Sequence, residues 1–261
     1  MTSVLTKLET RARIVGALVL RDIGMRHGGE LPAQVYHMAE PAVILLVILG
    51  FHFYGGGGAI LNTGFPLTAF VLTGYPQHMM LRHTGNAGVG AVTGSKGMLY
   101  HQQIKYVDLI FARLILEITL VILGLFIIFF VLYCLKMVQA PVYLGYFYLG
   151  WLFQIWIACA ICFIFTGLGL ITTIVRRIFI PFAFIMMPFY GIFTMAYTLS
   201  PPVRAFFLYS PAFDATEMIR RGYIGDAIPT YFDIPYTIMA CLGLTFVGLA
   251  VMQHARRNHV A

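Results

Sequence analysis

Long apolar runs alternate along this chain with short polar, mostly basic stretches. A bilayer-crossing helix needs about 20 predominantly apolar residues, and six segments have that character: Val35–Tyr54, Phe65–Leu81, Leu114–Leu135, Tyr143–Val175, Ile178–Leu199 and Ile234–Met252. Gly74, Pro76 and His78 interrupt the second. The fourth is long enough to tilt or to emerge at one end. The fifth carries Pro181 and Pro188, tolerable where neighbouring helices or water satisfy the freed carbonyls. Ahead of the first run, Val4, Leu8, Ala12, Val15, Val19 and Ile23 recur every three or four positions, one face of a helix. Lys7, Glu9, Arg11, Arg13, Arg21 and Asp22 occupy its other faces, so this helix is expected in the membrane interface, either anchoring the chain or transmitting motion from a cytoplasmic partner.

The stretch 200–233 is too long for a tight turn and too polar to span. Within it Phe213–Tyr223 patterns as a short amphipathic helix, with Asp214 at the N-cap and Glu217 in the capping-box position. It lies flat as a folded outer loop, or dips into the outer leaflet as a re-entrant element if protein buries its backbone. The expected fold is an all-α membrane protein in one domain over 1–261. An interface helix occupies 1–30, spans one to five 33–199, the outer re-entrant segment 200–233 and span six 234–254.

Composition agrees. The chain is 60% hydrophobic and 10% charged, where soluble domains have roughly 45–50% and about 25%. That excludes most soluble enzymes, nucleic-acid binders and disordered chains. The net charge of +7 matters through its distribution. With an even number of spans, Lys7, Arg11, Arg13, Arg21, Arg26, Arg82, Lys96, Lys105, Arg113, Arg176, Arg177, Arg256 and Arg257 share one side. Lys136, Arg204, Arg220 and Arg221 share the other. By the positive-inside rule both termini are cytoplasmic. No cleavable signal peptide is expected, because the first span starts late and follows a charged segment.

Catalytic signatures are missing. Gly90–Gly97 (GAVTGSKG) has the wrong spacing for a phosphate-binding loop, and neither HExxH nor a nucleophile elbow occurs. His78 and His83 are five apart, off a single helical face, so no metal site is expected. Cys159 and Cys162 form a CxxC inside an apolar run and read as packing residues rather than a redox pair. If the chain moves something uphill, the energy comes from an ion gradient or a partner. Glu117 stands inside a span, where a carboxylate defaults to a functional hypothesis. Arg113, four residues earlier, is positioned to pair with it, and a proton-coupling role is the alternative. Tyr143, Tyr146, Phe147, Tyr148 and Trp151 fit an interfacial aromatic belt or sugar-stacking platforms along a path.

Three strings carry a family resemblance: LRDIGMR (Leu20–Arg26), AEP (Ala39–Pro41) opening the first span, and SPAFDATEMIRRGYIG (Ser210–Gly225) before the last. With six spans and an amphipathic leader, they resemble the membrane subunits of ABC-2 type exporters, nearest the capsular polysaccharide and O-antigen permeases. Pro211, Glu217, Arg220 and Gly222 match that family's Asn-Pro, Glu-x-x-Arg-x-Gly element. Ser210 stands in place of the asparagine, and His37-Met38-Ala39 in place of the usual Trp and Gly before Glu-Pro.

The resemblance implies a non-enzymatic permease subunit of the bacterial inner membrane. It would form a homodimer with a separate cytoplasmic ATPase, which binds ATP and Mg, and no cofactor would sit in this chain. The substrate would be a lipid-linked glycan, passed on to periplasmic or outer-membrane export proteins, with no role for nucleic acid. Arg21 and Arg26 would meet the lipid-linked phosphate, since guanidinium binds phosphate bidentately, or merely headgroups. Tyr143, Tyr146, Tyr148 and Trp151 would line the substrate path. The 85–105 loop, with Lys96 and Lys105, and the turn at Arg176 and Arg177 would couple to the ATPase. Pro211, Asp214, Glu217 and Arg220 would shape the outer exit. Rival readings are an ABC-2 permease for a drug or lipid, an ion-coupled carrier, which would show inverted repeats and several buried acids, and a non-transporting membrane scaffold.

Overall fold

The computed structural model describes residues 2–26, 50, 67–91 and 105–259, and the described residues are helical with no strand. In chain order the helices are α1 (Thr2–Arg26), α2 (Leu67–Ala91), α3 (Tyr106–Cys134), α4 (Leu144–Ile171), α5 (Ile174–Ile185), α6 (Pro201–Leu208), α7 (Pro211–Ile224) and α8 (Ile234–His259). Two 3₁₀ turns, Pro188–Tyr190 and Ala196–Thr198, lie between α5 and α6. Three of these helices are long and apolar enough to cross a membrane: Tyr106–Cys134, Leu144–Ile171 and Ile234–Arg257. The expected first span, the glycine run at 55–58 and most of the 85–105 loop lie outside the described residues.

Helix α3 starts eight residues before the apolar run suggests, because Asp108 draws its N-terminus back. The Lys105 N–H donates to Asp108 Oδ2 at 2.9 Å, and a carboxylate there also opposes the positive helix end. At the other end Lys136 takes a left-handed φ of 59° and Met137 N–H returns to Leu132 C=O at 2.9 Å. This six-to-one bond closes the helix in a Schellman arrangement.

The fifth expected span is broken. Its helix is α5, 12 residues long and about 18 Å at 1.5 Å per residue, short of a hydrocarbon core of about 30 Å. Pro188 lacks the N–H that would continue the ladder of α5. Gly191, with φ 67°, then turns the chain. The second expected span is the inner part of α2, which continues to Ala91 with Pro76 inside it. Thr73, Gln77, His78 and Thr84 are buried on α2. The Thr73 and Thr84 hydroxyls back-bond to Ala69 and Met80 carbonyls four residues earlier.

Helix α4 is the axis of the bundle, with α2, α7 and α8 packed along it. Close approach is set by small residues. A Cβ on Gly150 would sit 2.6 Å from Ile219 Cγ1 and 2.7 Å from the Ala215 carbonyl. A Cβ on Gly222 would strike the Phe147 backbone. Such contacts drive helix association where no hydrophobic effect operates between helices. Cys162 is buried at the α2–α4 contact, its thiol 3.3 Å from the Thr84 carbonyl, so it packs as expected, and Cys159 is half-buried.

Helix α1 lies against the start of α3, but the buried face is turned from the stripe expected. Leu18 packs on Leu109 and Ala112 with Ile14, Val15 and Val19 beside it, while Ala12 is exposed. The rotation follows from charge. Arg11 Nη1 meets Asp108 Oδ2 at 2.5 Å, and buried Asp22 takes Arg113 Nε at 3.1 Å. Arg113 thus reaches across to α1 rather than along its own helix to Glu117, which is buried on α3.

Candidate functional site

Helix α7 is buried without interruption from Ala212 to Arg220. A helix buried on all sides is ordinarily apolar all round. This one carries Asp214, Thr216, Glu217 and Arg220, none more than 1% exposed, so each must find its partners inside the protein.

The partners come from the broken stretch after α5. Arg220 Nη1 donates to the Thr194 carbonyl at 2.8 Å and to Glu217 Oε1 at 3.0 Å, and Nη2 donates to the Gly191 carbonyl at 2.5 Å. Glu217 Oε1 also accepts the Ala196 N–H at 3.3 Å. The Thr216 hydroxyl lies 3.1 Å from the Tyr190 carbonyl, and Ser210 Oγ donates to Phe189 C=O at 3.1 Å. From α4, Gln154 Nε2 donates to Ala212 C=O at 2.8 Å and to Thr216 Oγ1 at 2.9 Å. The guanidinium stands 4.7 Å from the Phe70 ring centroid on α2. Four carbonyls of the broken backbone, those of Phe189, Tyr190, Gly191 and Thr194, are therefore satisfied by α7 and its N-cap, the condition under which irregular backbone survives away from water. Arginine suits this role because its fork offers five donors in fixed geometry. Glu217 and Arg220 are both fully buried and ion-paired. They touch no open space and act by positioning the 189–196 break on α7.

Pro211 holds the first helical position, where a missing N–H costs nothing, and Ser210 is the N-cap. This corrects the expectation that Asp214 caps the helix. The proline starts α7 earlier and leaves Asp214 in its first turn. There Asp214 Oδ2 accepts the Asp233 N–H at 3.1 Å and lies 3.2 Å from Thr237 Oγ1, so it ties α7 to the start of α8. Asp233 in turn caps α8, its Oδ1 accepting the Tyr236 N–H at 3.1 Å.

The four path aromatics do not share one face. The Tyr143 hydroxyl donates to Asp226 Oδ2 at 2.5 Å, and Arg221 pairs with the same carboxylate. The Tyr143 hydroxyl, first, and then Arg221 hold the Asp226 carboxyl below its ordinary value of 3.8. Tyr146 packs against Phe232 with centroids 5.7 Å apart. Tyr148 and Trp151 line a different space, a cavity of about 560 Å³ between α3 and α4 walled also by Leu72, Phe126, Phe129 and Tyr223. Tyr148 is exposed and Trp151 buried.

Of the basic residues, Arg21 places Nε 3.0 Å from Asp22 Oδ1, which offsets much of its charge. Arg26 ends α1 and its side chain lies outside the described residues, as does all of Lys96. Lys105 is exposed at the N-cap of α3, and Arg176 and Arg177 are exposed in the first turn of α5. The structure thus joins Pro211, Asp214, Glu217 and Arg220 in one buried element, and Tyr143 to its end. Sequence reasoning overlooked Gln154, Thr216 and Asp233. Gln154 was findable as a lone amide in the long apolar run of α4, and Asp233 as an N-cap residue just ahead of the last apolar run; Thr216 gains its role from contacts distant in sequence.

No family model matches the chain. Among curated proteins it is 33% identical over 260 residues to the capsule polysaccharide export inner-membrane protein CtrC of Neisseria meningitidis serogroup A, covering 96% of this chain and 94% of that protein. It is 26% identical over 249 residues to the capsule polysaccharide export inner-membrane protein BexB of Haemophilus influenzae, covering 95% and 92%. It is 27% identical over 253 residues to the polysialic acid transport protein KpsM of Escherichia coli, covering 93% of each. At 33% identity over nearly the whole of both chains, the chain belongs to the family of capsule polysaccharide export inner-membrane proteins.

Proposed function

We infer that this chain is the permease subunit of an exporter that moves capsule polysaccharide across the inner membrane. The observation that carries the reading is likeness over nearly the whole chain to three capsule-export and polysialic-acid transport proteins. In this reading the six apolar segments cross the membrane with both termini cytoplasmic, the fifth as the short α5 continued by the broken 189–196 stretch, and α7 is a re-entrant element on the outer side. Two copies enclose the path, and a separate ATPase binds ATP and Mg and supplies the energy. The 85–105 loop with Lys96 and Lys105, and the exposed Arg176 and Arg177, receive its motion. Arg21 and Arg26 meet the phosphate of a lipid-linked glycan, which then passes Tyr143, Tyr146, Tyr148 and Trp151 toward periplasmic and outer-membrane proteins. The chain itself performs no catalysis and holds no cofactor.

The decisive experiment deletes the gene and stains the cells for surface glycan, with lipid-linked glycan assayed inside and outside. Glycan retained in the cytoplasm and missing from the surface is the expected result. Unchanged surface glycan would replace this reading with export of a drug or lipid.

A further inference from the structure

A second cavity, of about 550 Å³, lies where α6 and the 225–233 loop meet the starts of α7 and α8. That volume is within the range of small-ligand sites. Its walls include Tyr209, Tyr231 and Tyr236, the carboxylates Asp214 and Asp233, and Thr230. Two of the rings are held in place. The Arg204 guanidinium stands 4.0 Å over the Tyr231 ring, and the Tyr236 hydroxyl donates to the Tyr209 carbonyl at 2.5 Å. Tyr209 itself is 75% exposed.

Asp214 supplies the second, independent sign of a ligand. It is 1% exposed. Its Oδ2 is engaged with α8, yet its Oδ1 accepts no hydrogen bond from the protein. A buried carboxylate oxygen left without a donor is costly, and Asp214 borders the cavity, so a ligand hydroxyl that opens the wall at this point would satisfy it. Among the described residues that line the cavity there is no cation, and Arg204 beside it already stacks on Tyr231, while two carboxylates line the wall. The chemistry therefore disfavours phosphate and favours a ligand rich in hydroxyl donors with flat C–H faces.

The geometry points to a carbohydrate-binding cleft, in which sugar rings stack on the tyrosines and donate hydroxyl protons to Asp214 Oδ1 and Asp233. The inference rests on the polysaccharide-export reading and gives the exported chain a holding point beside α7. Phe232, also in this wall, touches Tyr146 of α4 and connects the cleft to the expected substrate path.

The test uses the full chain in lipid nanodiscs, titrated calorimetrically with short oligosaccharides released by mild acid from the surface polysaccharide of the source cells. Saturable binding is expected, unaffected by excess inorganic phosphate. Asp214→Asn replaces a charge-assisted acceptor with a neutral one and is expected to weaken Kd about tenfold. Tyr209→Ala, at an exposed ring, is expected to weaken it by a similar factor without shifting the melting temperature. The Tyr209 variant keeps the test sound should the Asp214 variant fold poorly. No binding to the wild-type chain, or an unchanged Kd in Tyr209→Ala, overturns the cleft. The deletion strain separates the two ideas: surface glycan persisting there defeats the export reading, whereas its loss together with absent or variant-insensitive binding defeats only the cleft.

Discussion

The Glu217–Arg220 pair shows what a buried charge does in this chain. Two ions without water gain little net stability from each other, but removing one leaves the other stranded at a cost of about 3–5 kcal/mol. Glu217→Ala is expected to lower the melting temperature in detergent and to impair export while the chain still binds its ATPase. The double replacement Glu217→Gln, Arg220→Met is expected to recover part of the stability but not export, because the Gly191 and Thr194 carbonyls lose their donor. Equal stability of the single and double variants would show that the pair is not coupled. At Asp226 the sign is simple. A carboxyl held below 3.8 contributes its contact fully above that pH and loses it as the pH falls further, through its folded value. Tyr143→Phe removes the main cause, so the Asp226 carbon resonance in an NMR titration is expected to move its midpoint upward.

Among the helices, α1 and α5 depart most from their sequence patterns. In α1 an apolar stripe competes with two acid–base contacts to α3, and the contacts set the rotation. Asp22→Ala leaves Arg113 without that partner. The arginine is partly exposed, so the cost is about 1–2 kcal/mol, read as faster tryptic cleavage within α1. Helix α5 stops because Pro188 and Gly191 end it, and α7 takes over the exposed carbonyls. Gly222→Ala would push Phe147 and α7 apart, an overpacking cost of about 1–3 kcal/mol. Its expected signature is lost thermal stability with insertion retained.

The assembled chain leaves broad apolar surfaces uncovered. Phe126 and Phe130 on α3 and Phe246 on α8 are each more than half exposed, as fits helices that face lipid or a second copy. The exposed arginines of α5 stand apart from this surface. Arg176→Glu with Arg177→Glu is expected to uncouple stimulation of the partner ATPase while membrane insertion stays normal. Coupling that survives would move the ATPase contact elsewhere.

Several features were legible in residue order. A hydrocarbon solvent demands continuous apolar helices, so α3, α4 and α8 follow from run length and composition. The basic leader helix could be read from periodicity, and Glu217 and Arg220 could be singled out from a family-like string, but their burial could not. Tertiary structure decided the rest. Residue order could not tell that Asp214 serves α8 instead of its own helix, since both of its partners lie about 20 residues away. It could not tell that Arg113 prefers Asp22 over a neighbour four residues on, nor where the proline-bearing fifth run breaks. Hydropathy registers whether a segment resists water. It does not register which donor will reach a freed carbonyl, and in a bundle without water those donors decide where a helix can end.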